Sequence, residues 1–168
     1  MRPFASSRIS LLLAALVGAL MLAGASQASA AAGCYGNYCS GADPVATGCS
    51  ADAITVAHVP AQMNTLAPSW NNGLALQTTS VYMGTIELRW SARCQTNWAR
   101  LNLNDGAGGV EKICATQDSG YQQCRQIAGN YYGTGAGNFY SPMIYSPTLR
   151  VRAHIVGGDF SSWSTDPV

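Results

Sequence analysis

Charge is what this 168-residue sequence has least of. Asp, Glu, Lys and Arg make up 10% of it, against about 25% in an ordinary soluble domain. Nine Lys and Arg face eight acids, a formal net charge of +1. So balanced a chain offers no electrostatic case for nucleic acid or for anionic lipid. Histidine is almost missing, with only His58 and His154. After the N-terminal thirty residues, no stretch of useful length repeats apolar residues at i, i+3, i+4 and i+7, which argues against amphipathic helices. No G-x-S-x-G elbow, phosphate-cradling glycine motif or EF-hand loop occurs.

The few titratable residues are also poorly placed for catalysis. Asp43, Asp52, Glu87, Asp105, Glu111, Asp118, Asp159 and Asp166 are spread singly, whereas glycoside hydrolysis needs two carboxyl groups flanking one bond. Asp43 precedes Pro44 and Asp52 sits near a cysteine, so both read as turn or cap residues. Glu87 and Arg89 share one face of a predicted strand and suggest a surface ion-pair ladder. His154 falls on the polar face of a strand, and His58 in a β-branched run before Pro60; both read as surface or structural residues. The expectation is a non-enzymatic chain with no cofactor and no metal. A pocket holding His58 or His154 beside a carboxylate would revive an enzymatic reading.

What is present begins with an export signal. Arg2 and Arg8 form a positive n-region, Ile9 to Gly24 an uncharged apolar run, and Ala28-Ser29-Ala30 an A-x-A cleavage site. The apolar run is shorter than the roughly 20 residues of a membrane span. Residues 1–30 are therefore expected to be removed, with cleavage after Ala30 or after Ala32, and 31–168 to form a single secreted domain without a membrane span. Without Arg2 and Arg8, seven Lys and Arg remain against the eight acids.

Six cysteines in an exported chain read as three disulfides, for which 15 connectivities are possible. Cys34-x4-Cys39 lies within loose metal-ligand spacing, but no second closely spaced Cys/His pair completes a zinc site. Cys114 and Cys124 are a different matter. They are symmetric about Ser119, and a three-residue loop of Asp118-Ser119-Gly120, with Gly120 in the left-handed slot, would set them directly opposite. Opposed residues in antiparallel strands lie within disulfide reach, which predicts a Cys114–Cys124 bridge.

The remaining pattern is β. Ile54–Val59, Leu74–Thr79, Gly84–Ser91, Trp98–Leu103, Val110–Cys114 and Leu149–Ile155 alternate or are β-branched, with turn signals between them. Ile86, Leu88 and Trp90 point one way along the clearest strand, and Ala99, Leu101 and Leu103 inward along the next. Residues 60–73 read as a long loop or insertion, and the glycine-rich 129–137 as a surface loop. The fold class is all-β: a small disulfide-stapled barrel or sandwich of about seven or eight mostly antiparallel strands.

The N-terminal stretch carries a recognisable pattern, Gly-Cys-x-Gly-x-x-Cys-x-Gly-x-Asp-Pro-x-x-x-Gly-Cys-x-x-Asp-Ala, over Gly33 to Ala53. With Glu87–Cys94, Asn97–Arg100 and Tyr140–Ile144, it resembles an exported actinobacterial family, domain of unknown function 2690. The resemblance covers most of Gly33 to Ile144. It implies Cys34–Cys39 and Cys49–Cys94 bridges, with Cys34–Cys94 plus Cys39–Cys49 as the rival pairing. The long segment from Pro60 to Ser80, Cys114 with Cys124, and the strand from Leu149 with its Trp163 tail look like additions. The resemblance implies no activity.

Aromatic residues are the feature left over. Tyr131, Tyr132, Tyr140 and Trp163 lie in or beside glycine-rich or terminal segments and are the candidate ligand contacts, because such rings supply stacking area at low entropy cost. The reading from sequence is an extracellular or cell-surface binding module for a cell-wall glycan or another protein. The alternative is a secreted inhibitor of an extracellular protease.

Overall fold

A computed structural model describes residues 33–69, 75–104, 109–127, 136–157 and 162–168, with the side chains of 63–69 and 75–78 left aside. Nine strands occur among them: β1 (Ile54–Ser69), β2 (Ala75–Ser91), β3 (Thr96–Leu103), β4 (Val110–Gln117), β5 (Gln122–Gln126), β6 (Gly137–Tyr140), β7 (Ile144–Tyr145), β8 (Val151–Gly157) and β9 (Ser162–Ser164). All pairings are antiparallel. One sheet runs β1-β2-β3-β6, with β7 also on β3; the other runs β5-β4-β8-β9. The molecule is a small disulfide-stapled β-sandwich. Among the described residues no helix is long and apolar enough to cross a membrane.

Period-two alternation builds the core. Ile86 and Leu88 of β2 pair with Leu101 and Ala99 of β3, and all four are fully buried. Across the interface Ile113 and Ala115 of β4 pair with Ile155 and Ala153 of β8, buried in the same cluster. A one-residue slip in either register would turn these side chains to water.

Of the segment read as a loop from Pro60 to Gly73, Pro60 to Ser69 is instead the second half of β1, paired with β2 from Pro60↔Thr85 to Ser69↔Ala75; 70–73 lie outside the described residues. Likewise, the two strands expected at 74–79 and 84–91 are, from Ala75 on, one strand, β2. Pro60 carries no amide hydrogen and so suggested a break. It is tolerated because β1 is the edge of its sheet among the described residues, the position in a sheet where proline is accommodated. Partners of β2 on β3 end at Gly84↔Leu103, so beyond that point β1 and β2 continue as a two-stranded ribbon. A bulge between Ala61 and Gln62 marks the departure. Gly84 stands opposite Ala61 there, and a Cβ on it would collide with the Asn102 carbonyl.

The hairpin between β4 and β5 has the expected three-residue loop. Gln117 N–H donates to the Tyr121 carbonyl, Gly120 has φ +86°, and Cys114 stands opposite Cys124. Their Cα atoms are 4.1 Å apart and the sulfurs are bonded.

Candidate functional site

The N-terminal segment has little regular structure, only 3-10 turns at Gly36–Cys39 and Cys49–Ala51, yet it is tied down along its length. Cys34 is bonded to Cys39 across five residues, and Cys49 to Cys94 at the end of β2. Gly36 N–H donates to the Cys94 carbonyl, Gly41 N–H to Met143 and Met143 N–H to Ala42. Ser40 Oγ accepts from the Tyr145 amide at 2.9 Å. Beneath this lies a second core of Cys39, Cys49, Cys94, Trp98 and Met143, with Tyr140 packed against it. Trp98 projects from the face of β3 opposite Ala99 and Leu101, so the segment roofs the outer face of the first sheet.

Asp43 anchors the far end. Its Oδ1 accepts from the Val45 and Ala46 amides, as in a cap, and its Oδ2 from Arg125 of β5 at 2.5 Å. Partial burial pushes this carboxyl up, but the Arg125 and backbone hydrogen bonds with the Arg125 charge outweigh it and hold the group below its usual range. Asp52 behaves alike: burial opposes ionisation, and the bonds from Ser91 Oγ and the Arg93 amide prevail. Both are turn and clamp residues, as their sequence contexts implied.

The clamped segment presents two tyrosines to solvent. Tyr38 is 92% exposed and Tyr35 62%, both on the loop closed by Cys34–Cys39. Gly36 between them takes φ +62° and lies against the Tyr145 ring. On the neighbouring side Gly41 abuts the Gln123 amide, which donates to the hydroxyl of exposed Tyr121 at 2.6 Å. Rings held out from a loop with so many fixed points lose little entropy on binding. This tyrosine-bearing loop is the candidate site.

The candidates read from sequence are placed differently. Trp163 sits on the inner side of β9 opposite Ile155 and packs against the main core. Tyr140 packs against the second core. Both are half-buried: Trp163 is turned toward the main core and Tyr140 lies on the outer face beneath the stapled segment. Tyr131 and Tyr132 lie outside the described residues. Tyr35 and Tyr38 are not among those candidates, although their signal is readable: a six-residue cysteine loop has no interior in which to bury two rings.

Other surfaces carry chemistry of their own. Glu87 on the outer face of β2 accepts from Thr55 Oγ1 at 2.9 Å, Arg100 at 2.5 Å and Arg89 at 3.3 Å. Burial raises its pKa, and these bonds and charges bring it below the ordinary value. This is the expected ion-pair ladder, with Arg100 of β3 as the neighbour. His58 is exposed and level with Glu87 on that face. His154 is half-buried on the outer face of β8; burial, then the charges of Lys112 and Arg152, depress its pKa. Its Nδ1 lies 3.3 Å from the Thr116 hydroxyl, in a shallow cavity of about 280 Å³ lined also by Gln122, Arg152, Ser162 and Ser164. No carboxylate is among those described lining residues. A groove of about 310 Å³ on another side is lined by Val56, Trp90, Asn97, Thr148, Leu149 and Arg150, among others.

The family model described as a protein of unknown function (DUF2690) matches residues 37–154. The chain belongs to this family. The match starts within the stapled loop and runs to His154 in β8, so it takes in Cys114, Cys124 and most of that strand as well as the shared core. No curated protein and no solved structure matches the chain. Membership in the DUF2690 family therefore brings a domain pattern and no assigned activity.

Proposed function

We propose that the chain is an exported, non-enzymatic binding module whose ligand is an extracellular glycan of the cell wall. The observation that carries this reading is the exposure of Tyr38 and Tyr35 on a loop held by a disulfide and by backbone bonds at Gly36 and Gly41. Flat rings stack on the apolar faces of sugars and need no complementary charge. The scarcity of charge in the chain suits such a ligand better than a polyanion. Tyr121, beside the same loop, extends the surface, and the groove at Trp90 is a secondary place for a sugar unit.

The same stapled loop could be offered as a protease inhibitor, but that reading has less support. Substrate-like segments bind as extended strands, and Gly36–Cys39 is a 3-10 turn. A stoichiometric, reversible complex with an extracellular protease would favour it nonetheless.

The test is co-sedimentation of the oxidised mature protein with purified cell-wall sacculi, against a reduced and alkylated control. Saturable binding that is lost on reduction supports the glycan reading. Absence of binding in both forms removes it and leaves protein ligands.

A further inference from the structure

Four cysteines far apart in sequence meet in one place. The sulfurs of Cys34, Cys39, Cys49 and Cys94 all lie within 4.8 Å of one another, and Cys34 Sγ is 3.7 Å from Cys49 Sγ across the two bridges. Three of the four residues are fully buried and Cys34 half-buried. We propose that, when both bridges are reduced, these four sulfurs form a tetrathiolate site for a single zinc-type divalent cation. The spacing that looked incomplete along the chain, Cys34-x4-Cys39 alone, is completed through space by the pair that ties the roof to β2.

The geometry fits. Zinc–thiolate bonds of about 2.3 Å in a tetrahedron place the sulfurs about 3.8 Å apart. The Cys34–Cys49 separation already has that value, and the remaining unbonded pairs need to move by about 1 Å at most. Only the two bonded pairs must open, within chain segments that are otherwise pinned. The surroundings suit thiolates too. The indole N–H of Trp98, buried at 1% exposure in the same cluster, has no hydrogen-bond partner among the described residues. It packs in one cluster with Cys39, Cys49 and Cys94 and is a donor that the oxidised state leaves unused. Arg93 donates to the Gly48 carbonyl at 2.6 Å, next to Cys49, and its Nε lies 3.8 Å from Asp52 Oδ1, so its charge is shared with that carboxylate. Donors packed around a metal site help to stabilise a bound thiolate set.

The chemistry balances. Two equivalents of a dithiol reductant each deliver two electrons and two protons to one bridge, yielding four cysteine thiols and two oxidised reductants. One M2+ then takes the place of the four thiol protons, which pass to buffer. The bridged and metal-bound states exclude each other, since each sulfur serves in only one.

The experiment uses the mature chain reduced under anaerobic conditions with a phosphine, which supplies the same electrons without competing thiols. Co2+ is titrated in and then displaced by Zn2+. The expected result is one Co2+ per chain with the intense d–d and sulfur-to-metal bands of tetrahedral tetrathiolate cobalt. Alkylation of the zinc-loaded protein is expected to spare four thiols and modify two, Cys114 and Cys124. Cys114→Ser with Cys124→Ser should leave the spectrum unchanged, whereas Cys34→Ser or Cys39→Ser should weaken binding about ten-fold or more. If reduction unfolds the chain, metal is expected to restore the β-type circular dichroism. The proposal is overturned by pale octahedral spectra, by loss of binding only in the Cys114/Cys124 variant, by alkylation of all six thiols, or by a chain that stays unfolded with metal present.

Discussion

Removing the two roof disulfides one at a time should cost different amounts, in an order set by the chain each encloses. Cys34–Cys39 spans 5 residues of sequence, Cys49–Cys94 spans 45 and Cys114–Cys124 spans 10. Loop-closure entropy in the unfolded chain gives about 2, 4 and 3 kcal/mol respectively at 25 °C. Burial reinforces the order, since Cys49 and Cys94 are fully buried and their truncation to alanine also loses packing. Paired variants are needed, because a single free thiol left beside the other bridge would exchange with it. Urea unfolding of Cys49→Ala/Cys94→Ala, with a slope of about 2 kcal/mol/M, should show a midpoint lowered by about 2 M, and Cys34→Ala/Cys39→Ala by about 1 M. A Cys34/Cys39 variant that loses as much as the Cys49/Cys94 variant would refute the reasoning. It would mean that the short bridge holds the native roof together rather than merely restricting the unfolded chain.

Other outcomes follow from the same structure. Glu87→Gln should cost about 1–3 kcal/mol by thermal or urea unfolding, because Arg89 and Arg100 keep their charges in a partly buried place without the carboxylate; a loss below about 0.3 kcal/mol would show the ladder to be inert. Acid should destabilise the protein in two stages. His154 has its pKa lowered from 6.5, so the unfolded chain takes up the proton first and stability begins to fall below that pH. Asp43, Asp52 and Glu87, lowered from 3.8, 3.8 and 4.5, contribute stability above those values that is lost as pH drops through their folded pKa values. Unfolding midpoints measured from pH 8 to pH 3 should therefore decline throughout, and a rise on acidification would contradict the assignment. Gly84→Ala should destabilise more than Gly120→Ala, since a Cβ at Gly84 meets the Asn102 backbone while one at Gly120 meets open space despite its φ of +86°; equal losses in circular-dichroism melts would remove the close-approach argument.

Much of the sandwich was legible because its signals are local. Ile86, Leu88 and Trp90 alternate with Glu87, Arg89 and Ser91, so one strand declares its inner face. The symmetry of Cys114 and Cys124 about Ser119 fixes a register without any tertiary information. Pro60 misled for the converse reason: whether a proline breaks a strand depends on whether the strand lies at an edge, and edge position is a property of the sheet. The site was less legible still. Trp163 and Tyr140 look like free rings in a polar, glycine-rich context, but facing strands supply the apolar contacts that their neighbours in sequence do not. The meeting of Cys34, Cys39, Cys49 and Cys94 needs the 45-residue return of the chain from Cys49 to Cys94, which no local spacing displays. The exposure of Tyr35 and Tyr38 is legible in the sequence, because so short a cysteine loop has no interior to take two rings.

The most direct test of the central claim, that the stapled tyrosine loop binds a wall glycan, is a sacculus-binding isotherm of the oxidised protein compared with Tyr38→Ser and Tyr35→Ser/Tyr38→Ser. Both variants alter rings that lie largely in solvent, so their unfolding midpoints should match the parent. Stacking rings at the centre of an interface are worth about 1–3 kcal/mol each on truncation, so the account expects at least ten-fold weaker binding for Tyr38→Ser and near loss for the double variant. Binding that survives both substitutions unchanged would contradict it and move the site elsewhere on the domain.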